Sequence, residues 1–251
     1  MRALGGCARP VHGLHHMKIA AWSGPRNIST AMMYAFAQRP DFAVRDEPFY
    51  APYLVATGRP DPLRDDILTR HETDPEAVAA ACAGPVPDGR PHLYMKHISL
   101  HLLENFPTGW MADCTHIHLI RHPARVVASY GDRRDGITAH DIGFAQQVQI
   151  YEKTGGIVID GSDIRADPRA MLTRLCTALG IPFDPAMLSW PNGGHKADGA
   201  WAPHWYRTLH ASTGFAGPEG PLPQLTGAAA DLVEEALPHY RELTEKKMHA
   251  A

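Results

Sequence analysis

The chain predicts an α/β protein, a parallel β-sheet with helices on both faces, built as one domain. Three observations carry this. Short apolar runs rich in β-branched residues recur at 18–22, 42–45, 93–97, 115–120 and 156–160. Between several of them lie segments with helical periodicity or clear cap and stop residues. The strand–helix alternation runs through 251 residues, a length that suits one large core and a sheet covered on both sides.

Each element has a local reason. Residues 1–16 contain Arg2, Arg9 and three histidines but no apolar run, so they read as a loose leader and the domain as 17–251. The first strand, 18–22, breaks into Ser23-Gly24-Pro25-Arg26. Ser29 or Thr30 then opens a helix that Pro40 stops. A short second strand ends in Asp46-Glu47-Pro48. Pro60, Pro62, Pro75, Pro85 and Pro87 punctuate 51–90, which predicts a partly helical insertion with a short helix at 75–82. The third strand, 93–97, is followed by a predicted helix over 99–105. After the fourth strand, 115–120, Pro123 suits a first helical turn.

Asp141 is the expected N-cap of a helix with Phe144, Val148 and Tyr151 on one face, closed by Gly155-Gly156. Asp167-Pro168 starts a further helix with Met171, Leu172, Leu175 and Leu179 inward and Gly180 as its stop. Residues 189–224 are rich in Gly, Pro, Trp and His without periodicity, as functional or disordered loops are. A last helix over 227–247 turns Leu232, Val233, Ala236, Tyr240 and Leu243 inward, with a kink expected at Pro238.

The composition excludes several function classes. With 24 basic and 27 acidic residues the formal net charge is -3, which gives no bulk attraction for nucleic acid, so any anion site must be local. No stretch is long and apolar enough to cross a bilayer. Four scattered cysteines without a C-x-x-C pair predict reduced thiols and a cytoplasmic protein. The pattern says nothing of oligomeric state.

Two segments about a hundred residues apart carry the chemistry. In the first, Gly24, Pro25, Arg26, Asn27, Ile28, Ser29 and Thr30 follow a strand and open a helix. Unpaired backbone N–H groups, two hydroxyls and a guanidinium there suit a phosphate, although the same segment also fits an ordinary capped turn. In the second, Arg121 ends a strand and Ser129 follows eight residues later on the next helix. The first segment is not a Walker A loop, since Ile28 stands where Gly-Lys would precede the hydroxyl, and the fourth strand ends in Arg121 rather than a metal-binding acid.

Together these motifs resemble the PAPS-dependent sulfotransferases. Gly24, Pro25, Arg26, Ser29 and Thr30 match that family's loop for the 5′-phosphosulfate, with Ile28 in place of its glycine. Arg121 and Ser129 match its site for the 3′-phosphate. Lys196, Gly199 and Trp201, within Gly193–Trp201, resemble loosely its late loop over the nucleotide, although a Trp-rich loop covering the core explains them nearly as well. The resemblance implies a P-loop NTPase-like sulfotransferase fold and PAPS as co-substrate, with PAP as product and no metal. The chemistry of sulfuryl transfer, rather than any motif, predicts a small-molecule acceptor bearing a hydroxyl or amine, with 51–90 and 199–224 expected to shape its pocket. The sequence motifs look most like sulfotransferase-like proteins of bacteria, fungi and plants.

Sulfuryl transfer needs a base for the acceptor proton and charge to stabilise the leaving phosphate. Glu47 is the expected base and Arg26 the expected stabiliser. His97 is the second candidate base, and Lys96 a partner for the bridging oxygen. A one-residue offset from the family's Lys-x-His turns His97 to the other face of its strand. A P-loop kinase or NTPase and a non-catalytic nucleotide-binding protein on the same fold are the rivals. A metal reading on His97-x-x-x-His101 finds no neighbouring Cys or Glu to complete a ligand set.

Overall fold

A computed structural model describes residues 16–131 and 136–249. Apart from His16, the expected leader lies outside the described residues, as does Cys7. All five strands pair in parallel, in the order β2-β3-β1-β4-β5. They are β1 Met17–Ser23, β2 Phe42–Asp46, β3 His92–Ile98, β4 Thr115–Ile120 and β5 Ile157–Asp160. The helices are α1 Ser29–Ala37, α2 Tyr50–Thr57, α3 Arg64–Arg70, α4 Pro75–Ala83, α5 Pro123–Gly131 and α6 Ala139–Ile142. They continue with α7 Phe144–Thr154, α8 Gly161–Ala166, α9 Pro168–Ala178, α10 Ala202–Trp205, α11 Arg207–His210 and α12 Ala228–Thr244. The fold class is the one expected from the sequence, a parallel sheet between helical layers.

The period of two along each strand builds the layers. Ile19, Ala21, Tyr94, Ile117 and Leu119 pack on one face with Met32, Phe36 and other residues of α1 and with Leu172 and Leu175 of α9. Ala20, Trp22, Leu93 and Met95 pack on the other with Val78, Ala79 and Cys82 of α4 and with Trp110. Five consecutive residues of α1, Met32 to Phe36, are buried, the signature of a central helix covered on every side.

The strand order positions the site. The chain leaves β1 toward β2 and leaves β4 toward β5, and β1 and β4 are neighbours. Their carboxyl ends, with Ser23 opposite Leu119, therefore open a crevice from which the two following turns diverge. The glycine after β1 is needed for packing, because a Cβ on Gly24 would lie 2.8 Å from the carbonyl oxygen of Ile142.

Several local expectations change. The segment after β3 forms only a 3-10 turn over Ser99–His101 and becomes extended at Leu102. This turn leaves Leu100 beside α2 and lets Phe106 enter the opposite cluster, which one continuous helix does not allow. Asp141 is not the N-cap. Thr138 caps α6, and Asp141 sits three residues in, its Oδ2 accepting from Thr138 N at 2.9 Å in a capping box. The 51–90 insertion holds three helices, and α12 continues through Pro238.

Of the four histidines buried among the described residues, three are lowered furthest from the ordinary value. His97 is held well below the ordinary histidine value, chiefly by burial, then by the Arg45 charge. Burial likewise brings His101 down to about 3 and His118 down to about 4. The unfolded chain takes up protons near the ordinary value, so their stabilising contribution is present above it and lost as pH falls. One buried acid, Asp46, raised to about 6, runs the other way. The three histidines outnumber it, so the urea midpoint should fall from about pH 7.5 to about pH 5 with net proton uptake on unfolding; a flat midpoint contradicts this.

Candidate active site

One cavity of about 360 Å³ lies over the carboxyl ends of the strands, and the turns after β1 and β4 both line it. Pro25, Arg26, Asn27, Ile28, Ser29 and Thr30 contribute from the first turn, Arg121 and Ser129 from the second. The two turns are bonded to each other. Arg121 Nη1 donates to the carbonyl oxygen of Arg26 at 2.5 Å, and Arg26 Nε donates to Ser129 Oγ at 3.0 Å.

The first turn solves a backbone problem. The left-handed conformation falls on Arg26, at φ 56°, while Ile28 keeps an ordinary φ of -87°. A β-branched residue is thereby spared the strained position. Asn27 fixes the turn from within: its Nδ2 donates to Leu119 O at 2.8 Å and its Oδ1 accepts from Ile28 N at 2.8 Å. No side chain caps the N-terminus of α1, so its first N–H groups are turned to the cavity that Ser29, Thr30 and Ala31 line.

The second turn is more basic than its motif suggested. Arg121, Arg125 of α5 and Arg165 of α8 converge on one carboxylate, Glu219. Of these, Arg121 alone is a candidate binding residue from the sequence. Arg125 sits inside the same motif, Glu219 comes from the aperiodic 189–224 stretch, which marks a loop but no residue in it, and Arg165 comes from a segment with no signal of its own.

Lower in the same cavity Glu47 and Lys96 meet. Lys96, which is 1% exposed, bonds Asp46 Oδ1 at 3.0 Å, Glu47 Oε1 at 2.5 Å and Tyr206 Oη at 2.6 Å. All three of its N–H groups are thus committed, which aims Lys96 at the two acids rather than at the turn after β1. Tyr206 Oη also receives the Trp201 Nε1 hydrogen bond at 2.8 Å. Burial alone lowers the Lys96 ammonium, but Asp46 and Glu47 together hold it above the ordinary lysine value. Burial, opposed by Lys96, pushes Asp46 up to about 6. Glu47 itself adopts a positive φ of 35° at the end of β2, which turns its side chain into the cavity. Its Oε2 lies 3.5 Å from His101 Nδ1; with His101 at about 3 this is not an ion pair at neutral pH.

The remaining expected residues lie elsewhere. His97 points to the opposite face from Lys96, stacked on Trp22 at 4.5 Å and away from the cavity lining. Lys196 is 77% exposed beside Asp88, outside the lining. Gly199 and Trp201 do not line the cavity either. Gly199 N donates to Asp46 Oδ2 at 3.2 Å, and a Cβ there would collide with the Trp201 ring, itself 1% exposed. The patch packs beneath the Asp46–Lys96 cluster because indole and Tyr206 satisfy each other there. Among the described residues, no group of His, Cys, Asp and Glu is placed to hold a metal ion, and no helix is long and apolar enough to cross a membrane.

The other wall is aromatic and charged. Tyr50, Tyr130, Trp205 and Tyr206 line it with Arg59 and Asp61, which come from the 51–90 insertion. Arg59 pairs with Asp61 at 3.1 Å and with Asp141.

A family model described as "Sulfotransferase domain" matches residues 17–247. Branched-chain-amino-acid aminotransferase-like protein 2 of Arabidopsis thaliana is 39% identical over 230 residues, covering 90% of this chain and 41% of that protein. Its protein 1 counterpart, from the same plant, is 37% identical over 238 residues, covering 93% and 42%. The chain therefore spans about two-fifths of the length of these curated relatives. Among solved structures, the sulfotransferase domain from the Synechococcus PCC 7002 olefin synthase is 20% identical, with a TM-score of 0.48 over 92% of this chain and 98% of that one. Mouse sulfotransferase SULT7A1 complexed with PAP is 14% identical, with a TM-score of 0.48 over 92% and 89%.

Removing one member of the buried cluster tests its energetics. Lys96→Met leaves two carboxylates facing each other without their cation, and should cost about 3–5 kcal/mol in chemical denaturation. A loss below about 1 kcal/mol would mean that the acids take up protons at little cost.

Proposed function

Since the chain belongs to the sulfotransferase domain family, we propose that it moves a sulfuryl group from PAPS to a hydroxyl or amine of a small acceptor. The observation that carries this reading is the single cavity shared by two bonded anion turns and by Glu47. The donor set suits the nucleotide: an uncapped helix N-terminus with Arg26 for one phosphate group, and Arg121, Ser129 and the neighbouring arginines for another.

PAPS, when bound, supplies the sulfuryl group joined to a phosphate. Arg26 and the N–H groups of α1 face the negative charge that collects on that phosphate oxygen as its bond to sulfur breaks. Glu47 takes the proton from the acceptor as the acceptor's oxygen or nitrogen bonds to sulfur. Lys96 and Tyr206 hold Glu47 Oε1, which leaves Oε2 for that proton. The aromatic wall of Tyr50, Tyr130 and Trp205 supports an acceptor with an apolar body, and Arg59 with Asp61 supports one polar group on it.

Two measurements test the reading. By calorimetry PAP should bind more tightly than ADP, because only PAP engages Arg121 and Ser129; equal affinities contradict it. Glu47→Gln should keep PAP affinity and lose turnover by roughly 100-fold or more. Full activity in that variant moves the base elsewhere.

A further inference from the structure

The loop from Gly217 to Leu222 carries one buried side chain. Its neighbours are exposed, yet the Glu219 side chain is 3% exposed. Its Oε1 accepts from Arg121 Nε at 3.1 Å, from Arg121 Nη2 at 2.7 Å and from Arg165 Nη1 at 2.8 Å. Arg125 Nε stands 2.8 Å from Oε2 as a charge contact, its N–H poorly aligned for a hydrogen bond. The loop's main chain hangs on the same arginines. Gly217 O accepts from Arg165 Nε at 2.9 Å, and Gly220 O accepts from Arg125. Residues 216–222 take no part in the hydrophobic clusters of the described residues.

An exposed loop is thus fastened by one carboxylate in a cluster of three guanidinium groups. Burying a carboxylate costs several kcal/mol unless cations repay it, which these three do. The cluster keeps an excess of two positive charges, counting Arg121, Arg125 and Arg165 against Glu219. A phosphate monoester near neutral pH carries about that charge with opposite sign. Carboxylate and phosphate also present similar oxygen pairs to an arginine fork. Arg121, Arg165 and Ala216 line the cavity, so the cluster opens onto it.

We infer that Glu219 is an internal stand-in for the 3′-phosphate and sets how strongly the protein separates 3′-phosphorylated from unphosphorylated nucleotides. A nucleotide bearing that phosphate has to take the arginines from Glu219 and free the loop; one without it leaves both in place. The inference rests on the nucleotide reading proposed above.

Calorimetry with PAP and with 5′-AMP tests it. Glu219→Gln removes the competing charge and should tighten PAP by about tenfold while moving 5′-AMP by less than about twofold. In the unaltered protein, PAP should speed hydrogen exchange at the amides of Gly217, Glu219, Gly220 and Leu222, and 5′-AMP should not. This second arm needs no variant to fold. PAP binding that is unchanged or weakened by Glu219→Gln, or a loop that slows its exchange with PAP, overturns the inference and leaves the nucleotide reading standing. Failure of both proteins to bind PAP overturns both.

Discussion

Everything at the site depends on the contact between two neighbouring parallel strands. Because β1 and β4 lie side by side and their chains leave in opposite directions, Arg26 and Arg121 come to one crevice from positions nearly a hundred residues apart. The Arg121 bond to the carbonyl of Arg26 turns that adjacency into a fixed geometry. Asn27, tying its turn to Leu119 on β4, reinforces the same link. Moving either strand by one residue would turn its last side chain to the wrong face and separate the two cationic groups.

The charge arrangement divides into two halves of opposite design. Around the turns, positive charge exceeds negative and faces the cavity. Around Lys96, two acids share one cation, and Tyr206 closes the set. The first half suits a ligand that brings its own negative charge. The second is nearly self-satisfied, and its acids differ: Asp46 is fully enclosed and pushed up by burial, while Glu47 reaches the cavity.

The sheet was legible because period-two alternation and strand-end punctuation are local signals, and all five strands fall where those signals put them. The two turns that follow β1 and β4 were legible for the same reason, each being a contiguous motif. What the sequence did not display is convergence. Trp201 and Lys196 sit in a motif-like stretch, yet the indole serves Tyr206 and the lysine faces solvent. Glu219 lies among glycines and prolines that specify no element, so its place among three arginines follows from tertiary packing alone. His97 illustrates the limit of register reading: its distance from Lys96 in the chain is one residue, and the pleat sends the two to different layers.

The left-handed backbone at Arg26 has an evolutionary consequence. Its conformation suits glycine or asparagine better than arginine, by something on the order of 1 kcal/mol. Thermal tolerance and the anion affinity proposed for this side chain therefore pull the position in contrary directions. Under the function proposed for Arg26, selection for robustness alone would drift toward the smaller residues and erode the grip on the nucleotide, so the guanidinium would mark a trade-off settled in favour of chemistry.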